Sequence, residues 1–247
     1  MRNTIFSVMF FNILFCFIPV INAENQDDQS LYTAENEIIE IRTIDPAPMV
    51  SPTKNERAMI AYNVGTTLMH QNRLNEAEIY LLEAVELDPV FVDAIDHLAI
   101  VYRRQNRFEE AEIMYLKSIR INNTNTVPFI NLAVIYMIQN KLNDAFLLYR
   151  HVVQIQPNNP EGYFGIGSIF FIIGNYESAM AFINTSIELY KELNSSLIYN
   201  AFYYKGMIYF RTGEYDEALF YLEEAVKGNP NNAVLVERAV NEIKKLK

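Results

Sequence analysis

The sequence predicts an all-α protein, a solenoid of antiparallel helix pairs closed by a C-terminal capping helix. An alanine that follows an acidic residue or serine recurs at spacings of 34, 34, 34 and 39 residues. A period in the thirties is typical of helical solenoids. A small residue lies twelve positions before each alanine, and only Asn or Gly occupies the middle position of the turn between the two helices. With 51% apolar residues in 247, the chain is apolar enough to form a large core and is not intrinsically disordered. The recurring alanines are Ala77, Ala111, Ala145, Ala179 and Ala218.

Residues 1–23 predict a secretory signal peptide with cleavage after Ala23. Arg2 is followed by an apolar run over residues 5–21, and an acidic stretch begins after Ala23. The alternative is an uncleaved membrane anchor, because 17 apolar residues lie near the lower limit for crossing a bilayer. Asn12 and Pro19 weaken that alternative. We therefore expect an exported chain, periplasmic or secreted, that contacts the membrane only if this segment is retained.

Charge and cysteine content exclude several classes of partner and site. Cys16 is the only cysteine, so the cleaved chain has no thiol for a disulfide or a thiolate metal site. Without Arg2, 19 basic residues face 30 acidic ones, a net charge of −11. This charge argues against nucleic acid and anionic membranes as partners.

Residues 24–57 form an acidic, proline-containing N-terminal segment that we interpret as a tether. It closes with PAPMVSP, whose prolines lack amide donors and oppose helix formation. Within it, EIIEIRTI (Glu37–Ile44) is apolar enough to lie against its own chain or a neighbouring copy. It would then act as a plug or as a homodimer contact.

Small and bulky residues alternate along the predicted helices in a way that favours close helix pairing. A bulky residue follows each small residue by three positions, and another follows each recurring alanine by four. These spacings place a bulky side chain next to a small residue on the same face of a helix. The small residues are Gly65, Ala99, Ala133, Gly167 and Gly206; the bulky ones after them are Leu68, Tyr102, Tyr136, Phe170 and Tyr209; those after the alanines are Leu81, Tyr115, Tyr149, Ile183 and Leu222.

The turn inside each pair requires a left-handed backbone position. Gly has no side chain to clash there, and Asn bonds locally. Those positions are Asn72, Asn106, Asn140, Gly174 and Gly213. The second helix of each pair is predicted to stop before Pro89, Asn123, Pro157, Lys191 and Pro230.

These features together resemble the tetratricopeptide repeat family. Five units cover residues 58–91, 92–125, 126–159, 160–193 and 199–232. The resemblance implies a right-handed superhelix in which stacking of units supplies the core. The frequent tryptophan of the family is replaced here by Ala61, Ile95, Phe129, Tyr163 and Phe202, and a usual leucine by Lys205.

Two segments lie outside the regular units. Residues Asn194 to Ile198 are inserted before the fifth unit, and we expect a lengthened helix or a local change of pitch there. Residues 233–247 predict a capping helix, with Val236, Val240 and Ile243 along one side. No equivalent precedes residue 58, so the first unit is either exposed or covered by the N-terminal segment.

The resemblance implies a concave groove, lined by the first helix of each unit, that binds an extended or helical peptide. Its residues here are mainly aromatic, aliphatic or thioether, which suits an apolar peptide or amphipathic helix. Packing within the superhelix is the alternative role of each side chain. The groove positions are Tyr62, Thr66, Met69, Asp96, Ile100, Arg103, Ile130, Val134, Met137, Phe164, Ser168, Phe171, Tyr203, Met207 and Phe210. Family members that clamp a C-terminal carboxylate use Lys, Asn and Arg, and that subclass is disfavoured by Tyr62 and Thr66.

Other candidate chemistry is sparse. Arg103, Arg104 and Arg107, with Arg73 nearby, form either a solvated helix end or a subsite for an acidic partner residue. The sequence has no HExxH motif, Walker loop, GxSxG elbow or dinucleotide fingerprint, and GYFGIGS at residues 162–168 is a glycine coincidence inside a repeat helix. His70, His97 and His151 fall in different units. We expect no catalytic residues, no metal and no cofactor.

The sequence therefore predicts a non-catalytic scaffold or adaptor that binds a peptide or helix of another protein outside the cytoplasm. Two alternatives remain open, a regulatory subunit of an envelope enzyme and a chaperone-like holder in secretion or pilus assembly. Fold alone does not choose among them.

Overall fold

The computed structural model describes residues 53–246, and the predictions for residues 1–52 lie outside that range. Within it the chain forms eleven α-helices and one short 3-10 helix, with no strand. The helices are α1 Glu56–His70, α2 Leu74–Leu87, α3 Val92–Arg104, α4 Phe108–Ile121, α5 Thr126–Ile138, α6 Leu142–Ile155, α7 Pro160–Ile172, α8 Tyr176–Glu192, α9 Ile198–Thr212, α10 Tyr215–Gly228 and α11 Ala233–Leu246; the 3-10 helix is Pro230–Asn232. The predicted all-α fold of consecutive helix pairs is confirmed.

The described helices fall into two compact units, which divide within α6. The N-terminal unit ends at Leu148, and the C-terminal unit begins at Tyr149. In the N-terminal unit α1 packs on α2, α3 on α4, and α3 also contacts both α1 and α2. Its largest fully buried side chains are Leu81, Met69, Ile95, Leu98, Tyr115, Leu132 and Ile135.

The C-terminal unit repeats this arrangement. Helix α7 packs on α8, α9 on α10, and α9 also contacts α7 and α8. Aromatic residues contribute much of its core, with Phe164, Tyr190 and Tyr204 buried beside aliphatic residues. Among residues 53–246 no helix is both long and apolar enough to cross a bilayer.

Predicted contacts between small and bulky residues hold the helix pairs together. A Cβ placed on Gly65 would lie 2.7 Å from Leu81 Cγ, and one on Gly206 would lie 2.8 Å from Leu222 Cγ. Gly167 meets Ile183 in the same way, at 2.9 Å. Since real Cβ atoms do not come this close to other atoms, the glycines set the distance between the helices. The prediction of close pairing at these three positions is confirmed.

The predicted turn positions adopt the left-handed conformation in all five repeats. The φ angles are 61°, 61° and 58° at Asn72, Asn106 and Asn140, and 86° and 89° at Gly174 and Gly213. This conformation disfavours side chains with a branched or bulky Cβ. The restriction of these positions to Asn and Gly is thereby explained.

Helix ends follow the prediction with one correction. The second helices stop before Pro89, Asn123, Pro157 and Pro230, but α8 continues through Lys191 to Glu192. Unlike proline, Lys191 keeps its amide donor and does not force the helix to end. Helix α8 has 17 residues where α10 has 14, so the helix is lengthened, one of the two expected outcomes. Residues 194–197 of the insertion lie after its end, in the connection to α9, where Asn194 has a φ of 49°.

The two ends of the described chain also show how helices start and close. Helix α1 begins at Glu56, slightly earlier than predicted, because the Asn55 side chain accepts hydrogen bonds from Arg57 N and Ala58 N at 3.1 and 3.2 Å. At the other end α11 contacts α9 and α10 and buries Val236 and Ile243. The predicted capping helix is confirmed.

Candidate partner-binding surface

The predicted groove positions divide into two groups by exposure. Each of the fifteen is either buried or half-buried, and none is exposed. The buried ones, which serve packing within the chain, are Met69, Asp96, Ile100, Arg103, Met137, Phe164, Ser168 and Tyr203. The half-buried ones, which keep part of their surface accessible, are Tyr62, Thr66, Ile130, Val134, Phe171, Met207 and Phe210.

In the N-terminal unit Tyr62 joins helix α1 to the second repeat. Its ring centroid lies 5.0 Å from that of Phe91 and 5.3 Å from that of His97, the latter in an edge-on arrangement. Burial, with the charges of Asp93 and Asp96, raises the pKa of Tyr62 to about 12. The hydroxyl therefore stays protonated and available as a donor at neutral pH.

Asp96 is a buried acid near the start of α3. Asn125 Nδ2 donates to Asp96 Oδ2 at 3.1 Å, while Oδ1 has no hydrogen-bond partner among the described residues. Burial raises the pKa of Asp96 to about 7, and the neighbouring Ser118 and Asn125 side chains only partly oppose this shift. The carboxyl consequently titrates near neutral pH.

The arginines of the basic cluster are engaged within the chain. Arg107 forms an ion pair with Glu78 at 2.8 Å and with Glu110 at 2.9 Å, and its guanidinium lies 4.3 Å from the Tyr102 ring centroid. Arg73 pairs with Glu76.

Two further arginines complete the cluster. Arg104 donates to Met69 O at 3.1 Å and to Asn72 Oδ1 at 2.7 Å, and Arg103 is buried. These contacts tie the cations to the first and second repeats, which disfavours a subsite for an acidic partner residue. The expectation of a solvated helix end is wrong for Arg103, because that side chain is buried.

Aromatic contacts organise the predicted site residues of the C-terminal unit. The Phe164 ring lies 5.3 Å from that of Tyr204 and 6.4 Å from that of Tyr190. Phe171 meets Tyr204 edge-on at 5.4 Å. Ser168 donates its hydroxyl hydrogen to Phe164 O at 2.8 Å, which satisfies that buried group inside its own helix. Phe164 and Ser168 are thus part of the packed interior of this unit.

Three predicted residues form what we call the C-terminal apolar patch: Phe171, Met207 and Phe210. All three are half-buried and pack by one side on the core of this unit. Phe171 lies near the C-terminal end of α7. Met207 and Phe210 lie one turn apart on α9, which contacts α7. Aromatic and thioether groups together make an adaptable apolar surface.

Family models match the repeats one by one. Models described as tetratricopeptide repeat match residues 60–91, 92–124, 129–156, 160–193 and 199–232. The chain belongs to the tetratricopeptide repeat family. Each match lies within one predicted unit, and the fourth and fifth matches have the same bounds as the predicted units.

Solved structures of several tetratricopeptide repeat proteins resemble this chain. The Cut9–Hcn1 structure, titled as an APC/C hetero-tetramer, has a TM-score of 0.71 at 18% identity over 87% of this chain. This chain spans only 39% of that protein's length. YrrB, titled a TPR protein with an unusual peptide-binding site, has a TM-score of 0.54 at 22% identity and is covered over 94% of its length by 78% of this chain.

A further similar structure is that of pilF of Pseudomonas aeruginosa. It has a TM-score of 0.62 at 16% identity, over 76% of this chain and 89% of pilF. At these identities the likeness concerns the fold alone. The sequence matches no curated protein.

Two features of the structure were not predicted from the tetratricopeptide pattern, and the first is a set of polar pairs between helices. Tyr190 donates its hydroxyl hydrogen to Glu161 Oε1 at 2.8 Å, and burial raises the pKa of both groups. Glu161–Tyr190, Asp96–Asn125 and Asn200–Asn229 are all polar pairs separated by 29 residues. Pairing of polar residues at that spacing is a signal that could have identified them.

The glycines of GYFGIGS are also structural and not coincidental. A Cβ on Gly162 would lie 2.8 Å from Val153 Cγ2, and one on Gly165 would clash with the Tyr149 ring. These two glycines therefore let α7 lie close to the end of α6. In residues 53–246 no group of three His, Cys, Asp or Glu is arranged to hold a metal ion.

Proposed function

We propose that this chain is a non-catalytic scaffold that acts outside the cytoplasm and binds an apolar peptide or amphipathic helix of a partner protein. Tetratricopeptide repeats generally mediate protein–protein interactions and are generally non-catalytic. The export step rests on residues 1–23, which carry the pattern of a signal peptide.

The C-terminal apolar patch carries the proposal. Phe171, Met207 and Phe210 occupy the positions at which the family presents side chains to a peptide, and all three remain half-buried where Phe164 and Tyr203 are buried. A partner helix that covers them would remove apolar area from water, at about 25 cal/mol per Å². Apolar anchors at i, i+3 or i+4 on a partner would match this surface.

Electrostatics favour an apolar ligand over an acidic one. Arg73 and Arg107 are each paired with glutamates, and the chain carries an overall negative charge. A strongly acidic peptide would be repelled at long range. We therefore expect binding to depend on apolar contacts and to change little with salt.

Variants of the patch test the proposal. The tagged chain is purified from its native source, the captured protein is identified, and its binding segment is measured as a labelled peptide by fluorescence anisotropy. Met207→Asp should weaken binding at least about tenfold, because a charge replaces an apolar contact. Phe220→Asp is the matched control, since Phe220 lies on α10 and is 59% exposed.

Two controls make the result decisive. Each variant must retain the helical circular dichroism and unfolding temperature of the wild type. If Met207→Asp and Phe210→Asp bind as tightly as the wild type, the patch is not the binding surface. Mass spectrometry of the exported chain tests the predicted cleavage of the signal peptide, and a mature N-terminus at Glu24 is expected.

A further inference from the structure

One face of the first repeat exposes apolar side chains that the other repeats bury. On α1, Ile60 is 63% exposed and Val64 is 37% exposed, and Thr67 continues the same face one turn later. Gly65, one residue on, points instead at Leu81 of α2. The exposed face is therefore distinct from the one that holds the helix pair together. We call Ile60, Val64 and Thr67 the leading face.

The equivalent residues of the later repeats are in the interior. Helix α3 contacts both helices of the first repeat, and its Ala94, Leu98 and Val101 have no exposed surface. The remaining equivalents are Pro128, Leu132, Ile135, Gly162, Ile166, Ile169, Ala201, Lys205 and Ile208, of which only Lys205 is half-buried and the others are buried. This face is where a repeat stacks on its predecessor. Within the described residues the first repeat has no predecessor.

At the opposite end of the described chain, the apolar face of the last repeat is covered by residues of the same chain. Helix α11 lays Val236 and Ile243 against α9 and α10, so the last repeat is covered from within the chain. Terminal repeats of such arrays require a covering element to remain soluble. The leading face needs an equivalent.

We propose that Glu37–Ile44, a segment outside the described residues, covers the leading face of its own chain. Three of its four isoleucines, Ile38, Ile41 and Ile44, recur every third residue, which places adjacent members of the series about one helical turn apart. The positions between them are Ile39, Glu40, Arg42 and Thr43, two of which carry charges. The segment thus has the composition of an amphipathic cap.

The connection is long enough for this placement. Residues 45–52 join the segment to Thr53, immediately before α1, and eight extended residues span about 26 Å. Helix α1, with 15 residues, is about 22 Å long, so any point of the leading face lies within reach. The connection contains Pro46, Pro48 and Pro52, a composition that opposes helix formation.

Attachment to the same chain also favours this occupant over a second copy. A short tether holds the segment at a millimolar effective concentration beside the face. Two copies of an acidic chain with net charge −10 repel each other as they approach. The covering segment is therefore intramolecular.

Disulfide trapping tests the placement, since Cys16 is the only cysteine and is removed by Cys16→Ser. In that background Val64→Cys is combined in turn with Ile38→Cys, Ile41→Cys and Ile44→Cys. At least one pair should oxidise within the monomer about tenfold faster than the control pair of Ile41→Cys with Ile113→Cys. Ile113 is a suitable control because it is 59% exposed on α4.

Hydrogen exchange supplies an independent measurement. Ile41→Asp should raise the exchange rates of α1 amides about tenfold, because the cap no longer holds that helix, whereas Ile113→Asp should leave them unchanged. Three outcomes overturn the proposal: oxidation no faster than the control for all three pairs, disulfide-linked dimers as the main product, or unchanged α1 exchange in Ile41→Asp. The second would assign the leading face to a homodimer. Loss of peptide binding at the C-terminal apolar patch affects none of these measurements.

Discussion

Asn125 donates a hydrogen bond of 3.1 Å to Asp96, and so connects the residue that caps α5 to a buried carboxyl of α3. The same Asn125 accepts from Val127 N at 3.1 Å through its side-chain oxygen. One asparagine thus serves as a helix cap and as the partner of an acid between adjacent repeats. Replacing it would disturb both the start of α5 and the charge state of Asp96.

Stability should fall as pH rises through the range in which Asp96 ionises. Burial raises the pKa of Asp96 from its ordinary 3.8 to about 7, so between these values the folded chain binds more protons than the unfolded chain. The free energy of unfolding then decreases with rising pH, by up to about 1.4 kcal/mol per unit of pH. The stabilisation is complete below pH 3.8 and is lost as pH passes about 7.

Asp96→Asn checks this assignment by urea unfolding from pH 4 to 8. The neutral amide retains an acceptor for Asn125, so the variant should lose this component of the pH dependence and be more stable than the wild type at pH 8. Glu109→Gln, at an exposed site on α4 whose charge does not contribute to the shift of Asp96, is the control. Parallel pH profiles for the wild type and Asp96→Asn would contradict the prediction.

Gly206→Ala should destabilise the protein, although alanine is normally the better helix former. The new Cβ would lie 2.8 Å from Leu222 Cγ and 3.0 Å from Leu222 N, and a backbone atom cannot move aside as a side chain can. We expect a loss of about 1–3 kcal/mol in the free energy of unfolding. Chemical denaturation measures it, and a gain of up to about 1 kcal/mol, as helix propensity alone predicts, would show that the contact is unimportant.

Gly213→Ala tests the left-handed turn of the fifth repeat. With φ at 89°, a Cβ at this position is strained even though no atom lies within 4 Å of it. The expected loss is about 1–2 kcal/mol, seen as a lower unfolding temperature. Asn140→Gly, at φ 58°, is the companion variant and should change stability by no more than a few tenths of a kcal/mol. Equal effects of the two substitutions would refute the backbone explanation.

Tyr190→Phe should remove about 1–3 kcal/mol from the free energy of unfolding at pH 8. The hydroxyl of Tyr190 is a donor to Glu161 at 2.8 Å, and burial raises the pKa of that carboxyl above its ordinary 4.5 while the hydrogen bond opposes the shift. Without the donor the ionised form is less stable, so the loss should be smaller at pH 4. Tyr163→Phe, on α7, is the control, and a loss that does not vary with pH would contradict the prediction.

Much of the fold was predictable because the same residue types recur at equivalent positions in five repeats. A single Asn or Gly between helices is weak evidence, but Asn72, Asn106, Asn140, Gly174 and Gly213 all show the expected positive φ. The end of α8 was not predictable in this way, because Lys191 replaces the proline that closes three other repeats. Periodicity identifies shared positions and is uninformative where one unit departs from the others.

The candidate site was predicted less completely than the fold. The resemblance placed fifteen residues along the first helices, but it could not separate Phe164, which is buried, from Met207, which is half-buried. That distinction depends on which side chains from adjacent helices reach each position. The pairing of Glu161 with Tyr190 depends in the same way on contacts between residues of different helices.

The sequence by itself determined the helix pairs, their turns, the capping helix and the family, because these follow from local backbone preferences and from spacing repeated along the chain. Only the tertiary structure decided which groove residues keep accessible surface, where Asp96 becomes a neutral-pH acid, and that Ile60 and Val64 are exposed among the described residues while their equivalents in the later repeats are mostly buried. Burial is the physical reason for this division. The burial of a side chain depends on neighbours that are distant in sequence, and the periodic pattern does not specify which residues those neighbours are.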